Sequence, residues 1–60
     1  MKVGDIVFYT INTITYCFLV FDYDEEKDAF VYFQRGKLGH MSPAFYDRLI
    51  ASMLPVVISY

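Results

Sequence analysis

The sequence has one cysteine, Cys17, and one histidine, His40. A lone thiol excludes an internal disulfide, and one thiol with one imidazole cannot close a four-ligand zinc site. Without such a staple, a 60-residue chain must rely on dense packing or on a partner, because it buries only about 60% of its extended surface on folding. Basic residues are also few: five Lys and Arg stand against seven Asp and Glu, for a net charge of −2. Binding driven by phosphate contacts needs a clustered basic excess, so nucleic acid is not the expected partner. The longest uncharged stretch, Ile6 to Phe21, is 16 residues long and contains Thr10, Asn12, Thr13 and Thr15. It is too short and too polar to span a bilayer. Met1-Lys2 leads straight into Val-Gly-Asp, not into an apolar signal core. The expected product is soluble and intracellular, or assembled inside a cell, and the lone thiol fits a reducing compartment.

What the chain has in abundance is apolar and aromatic surface: 57% hydrophobic residues, with six Phe and six Tyr. Each buried aromatic removes roughly 150–250 Å² from water, so these residues can build a dense core. They are also more than so small a core holds, and the surplus on the surface points to a protein partner. The centre of the chain is Tyr16 to Arg35, where two runs rich in aromatic and β-branched residues flank Asp24-Glu25-Glu26-Lys27-Asp28. That pattern, free of Pro and Gly, predicts a β-hairpin with a solvated acidic tip. A lone hairpin is marginal in water, so the flanking segments are expected to complete a sheet around it.

Gly4-Asp5 predicts a turn into a first strand from about Ile6 to Ile11, and Asn12-Thr13 the centre of the next loop. Gly36 marks a tight turn into a short fourth strand, about Lys37 to Met41. Ser42-Pro43 reads as an N-cap followed by a first-turn proline, opening a helix that ends before Pro55. Its apolar stripe is expected to be Phe45, Leu49 and Met53. Val56 to Tyr60 reads as a last strand, expected either to close a barrel against the first strand or to add to a neighbouring chain's sheet. The strands are apolar on both faces. Such strands occur where a sheet curls into a small barrel or where a partner covers its outer face.

Several short motifs carry a resemblance: Val3-Gly4-Asp5-Ile6-Val7, Leu19-Val20-Phe21-Asp22, Asp24-Glu25-Glu26, Phe30-Val31-Tyr32-Phe33, Gly36 and Ser42-Pro43. In this order they resemble the small SH3-like barrel proteins of tailed bacteriophages, over roughly residues 2–43. The resemblance implies a mainly β, five-stranded SH3-like barrel, one domain over residues 1–60, with a short helix before the last strand. It implies a viral origin and no catalytic residues.

The acidic tip fails the EF-hand pattern, because Lys27 stands where glycine is needed and Phe33 where glutamate is needed. No metal, cofactor or catalytic residue is therefore expected. Cys17 lies in an apolar strand and His40 has no carboxylate beside it in sequence, so no nucleophilic pair is expected. The candidate protein-binding residues are Tyr9, Tyr16, Tyr32, Tyr46 and Tyr60, because tyrosine serves aromatic ridges and cages as well as half-buried rims. The expected function is a non-enzymatic protein-interaction module, a small virion accessory protein bound to a larger assembly. The alternatives are an early phage inhibitor of a host or defence enzyme and a small nucleic-acid-binding barrel. Partners are expected to be viral structural or host proteins or further copies of the chain, in the virion or the host cytoplasm and not at a membrane.

Overall fold

The computed structural model describes residues 3–59. Five strands and one helix follow one another: β1 (Ile6–Ile11), β2 (Ile14–Asp24), β3 (Ala29–Gln34), β4 (Lys37–Met41), α1 (Pro43–Met53) and β5 (Val56–Ile58). All neighbouring strands are antiparallel, in the order β4-β3-β2-β1-β5.

Two tight turns set the register. Asn12 and Thr13 (φ 49° and 68°) join β1 to β2, and Arg35 and Gly36 (φ 51° and 75°) join β3 to β4. Two positive φ values in a two-residue loop match the right-handed twist of the flanking strands. The first turn places Tyr9 opposite Tyr16 and Val7 opposite Phe18. The second places Tyr32 opposite Gly39. Thr13 is a β-branched residue in the left-handed region, where its side chain is crowded. Thr13→Gly is therefore expected to stabilise the domain by about 1 kcal/mol, read as a higher urea midpoint at unchanged slope.

Gly4, at φ 99°, turns the chain into β1, and its N–H donates to the Val20 carbonyl at 2.7 Å. The Val20 N–H donates to the Asp5 carbonyl at 2.9 Å. The buried Asp5 carboxylate accepts from the Ser59 hydroxyl at 2.9 Å, tying the residue after β5 to the start of β1. The Val-Gly-Asp motif is thus a clasp between β1, β2 and the end of the sheet. At the hairpin tip, one Asp24 carboxylate oxygen accepts from the Glu26 and Lys27 amides at 3.1 and 3.2 Å. The acidic run is folded by its own side chains.

The helix begins as its sequence signals require. Ser42 is the N-cap and accepts from the Phe45 amide at 3.1 Å, Pro43 occupies the first turn, and Leu54 in the left-handed region caps the C-terminus. The buried face differs from the expected stripe. Tyr46 is the residue pressed into the core, with Leu49 and Ile50 beside it, whereas Phe45 is 54% exposed. Spacings of three and four fit both stripes, and the wider apolar stripe is the one that packs.

Two expectations are overturned. The sheet is open: β4 and β5 form its two edges and do not meet, so the fold is mainly β with one helix but is not an SH3-like barrel. β5 does pair with β1, over Ile6–Phe8, yet closes nothing. The physical reason lies in α1. Four strand spacings of about 4.8 Å separate the edges by roughly 19 Å, and 11 helical residues cover about 16 Å. The helix carries the chain from one edge to the other and covers one sheet face itself, so the sheet need not curl over to bury that face. The resemblance to the small SH3-like phage proteins falls with the barrel it implied.

Candidate functional site

Paired residues share a sheet face and faces alternate along a strand. The face beneath α1 therefore carries Val7, Tyr9 and Ile11 from β1, Tyr16, Phe18 and Val20 from β2, Phe30, Tyr32 and Gln34 from β3, and Met41 from β4. The core occupies only half of it. Val7, Phe18, Val20, Met41 and Tyr46 are buried there. Towards the two tight turns the helix no longer covers the sheet, and an aromatic row comes to the surface.

The row runs Tyr16, Tyr9, Phe18, Tyr32. The Tyr9 and Tyr16 rings stack at 5.4 Å with 20° between planes. Phe18 meets Tyr9 edge-on at 6.1 Å and Tyr32 at 5.3 Å. Such pairs each contribute about 0.5–1.5 kcal/mol beyond simple burial, which holds the rings in place. The Arg35 guanidinium lies 5.0 Å over the Tyr16 ring, and Gln34 donates an amide N–H to the Tyr9 hydroxyl at 3.1 Å. The Tyr32 ring lies across Gly39; a β-carbon there would meet its ring carbon at 2.5 Å. The glycine thus seats the ring.

Between this row and the outer side of α1 runs a groove of about 280 Å³. Tyr9, Phe18 and Tyr32 form its sheet side and Phe45, Leu49 and Met53 its helix side. An adjoining cleft of about 360 Å³ shares Tyr32 and Gln34 and adds Arg35 and Lys37. An apolar, aromatic channel therefore ends at two cationic side chains.

Of the five tyrosines read from the sequence, Tyr9, Tyr16 and Tyr32 are brought together in this row. Tyr46 is 7% exposed and belongs to the core, and Tyr60 lies outside the described residues. Phe18, Gln34, Arg35 and Phe45 join the site although none was among the candidate protein-binding residues. For Phe18 the signal was the turn centre, since residues equidistant from Asn12-Thr13 must face one another, as Val7 and Phe18 do. Cys17 and His40 share the opposite face but lie two strands apart and towards opposite ends. His40 does have a carboxylate neighbour, Asp24, at 3.8 Å across the strands. Among the described residues, no three His, Cys, Asp or Glu side chains gather as a metal site, and no helix is long and apolar enough to cross a membrane. No protein-family model, curated protein or solved structure matches the chain.

Proposed function

We propose that the chain is a non-enzymatic protein-interaction module that binds an extended peptide segment in the aromatic groove. The observation that carries this reading is the row Tyr16–Tyr9–Phe18–Tyr32, in which half-buried tyrosine rings, held ring against ring around the buried Phe18, face Phe45 and Met53 across the groove. Rigid aromatic surfaces provide contact area at little cost in conformational entropy, and a groove of this size takes one or two apolar side chains. Arg35 and Lys37 at its end favour a segment with a carboxylate next to those side chains.

Selection from a displayed random-peptide library tests this. The enriched peptides are expected to pair apolar residues with Asp or Glu. Their affinity should fall at least about tenfold for Phe45→Glu, a substitution at an exposed helix position that leaves the core alone. Gly39→Val, which displaces the Tyr32 ring, should weaken binding similarly. Peptides that bind both variants as tightly as the wild type would show that the groove is not the site.

A further inference from the structure

The opposite face of the sheet has no helix over it. The register assigns to it Ile6, Phe8 and Thr10 from β1, Thr15, Cys17 and Leu19 from β2, Val31 and Phe33 from β3, Leu38 and His40 from β4, and Val56 and Ile58 from β5. Asp22, opposite Val31, and Asp24, beside His40, bring charge to the hairpin end of this face; the other side chains named are uncharged. An open antiparallel sheet with one face packed normally alternates apolar and polar residues, with the polar ones turned to water. This one is apolar on both sides. Leu19, Phe33, Leu38, Val56 and Ile58 are 37%, 45%, 65%, 63% and 51% exposed and lie on β2, β3, β4 and β5, on both sides of β1.

We propose that this face is the interface of a homodimer, in which two sheets pack face to face about a twofold axis. The area matches that need. The five side chains, with the half-buried Ile6, Phe8 and Val31, present roughly 600 Å² per copy, or about 1,200 Å² across a pair, the lower bound of stable interfaces. A flat, twisted sheet is complemented by another sheet at about 10 Å, its strands within about 30° of the first. A second copy brings that surface with the same apolar character. The acidic tip, which would repel its counterpart, lies at the end of the β2–β3 hairpin. The dimer also supplies the core that a single copy lacks, since only six of the described hydrophobic residues are buried in the isolated chain.

Analytical ultracentrifugation over a concentration series tests the proposal, with the thiol of Cys17 as a second readout. Cys17 is exposed and pairs with Phe8 at the middle of β1 and β2. The wild type is expected to sediment at twice the chain mass, with Cys17 slow towards a thiol reagent. Leu19→Lys with Phe33→Glu places an opposite-charge pair across β2 and β3, which a solvated sheet accepts and an apolar interface does not. That variant should sediment as a monomer with the β-sheet circular dichroism retained and a reactive Cys17, its dimer dissociation constant raised at least about 100-fold. Leu38→Lys alone, at the most exposed of the five positions, should weaken the dimer in the same direction if the double variant does not fold. A wild type that stays monomeric at millimolar concentration overturns the proposal and leaves the face to a different protein. A dimer whose Cys17 reacts freely also overturns it, because association would then run through the β4 or β5 edge.

Discussion

Replacing Phe18 by alanine is expected to leave the chain largely unfolded at room temperature. Phe18 is 3% exposed and sits where the core meets the aromatic row, between the Tyr9 and Tyr32 rings. Truncating a buried Phe typically removes about 3–5 kcal/mol through lost transfer energy and the cavity left behind. A 60-residue domain, at roughly 0.05–0.15 kcal/mol per residue, has a total of only about 3–9 kcal/mol. A single side chain therefore commands a large share of the stability, because so few others are buried. Urea titration followed by far-ultraviolet circular dichroism gives the measurement. A midpoint shift equivalent to less than about 1 kcal/mol would mean that the site collapses around the deletion or that the ring is not in the core.

The same residue links stability to recognition. Phe18 supports the groove from below, while Tyr9 and Tyr32 lean on it from either side. A ligand seated on those rings adds contacts only to the folded state, so binding should raise the melting temperature. In a domain with a small margin, that rise is a sensitive assay for candidate peptides.

The parts of this fold that were legible in the sequence are those decided within a few residues. Asn12-Thr13, Gly36, Ser42-Pro43 and Pro55 mark turns, a cap and a stop through their own backbone preferences, and the strands and helix lie where those signals place them. What the sequence did not decide is how the elements close on one another. Because Ile6, Phe8, Val7 and Tyr9 are all apolar, alternation does not say which face of β1 looks inward. Barrel and open sheet then satisfy the same pattern. The choice rests on whether α1 lies across the sheet, a long-range property. The helix face was ambiguous for a related reason: Phe45 and Tyr46 are adjacent aromatics, and either begins a plausible stripe. The tyrosines illustrate the limit for the site. Residue type alone grouped Tyr46 with Tyr9, Tyr16 and Tyr32, whereas register and packing put it on the other side of the core boundary.

Tyr46 should prove the pin that holds α1 to the sheet. It is the buried residue of the helix, packed with Val7, Phe18, Val20 and Met41. Tyr46→Ala is expected to cost about 3–5 kcal/mol, comparable with Phe18→Ala. An 11-residue helix is marginal in water without tertiary support, as isolated helices shorter than about 12–15 residues are. Detachment of α1 would also release β5, which follows it directly. Tyr46→Phe keeps the ring and serves a separate purpose. Burial pushes the Tyr46 phenol above its ordinary value of 10, and the charges of Asp5 and Asp47 add to the effect. Because the folded state holds this proton more tightly than the unfolded chain does, its contribution is fully present below about pH 10 and is lost as pH rises through the folded value. The wild type should therefore lose stability above pH 10 more steeply than Tyr46→Phe. Tyr23, also raised, first by its hydrogen bond to Asp28 at the exposed tip, needs Tyr23→Phe as the matched control. Identical alkaline unfolding profiles for the wild type and Tyr46→Phe would place the Tyr46 hydroxyl in water, whereas a cost below about 1 kcal/mol for Tyr46→Ala would mean that the helix has another anchor.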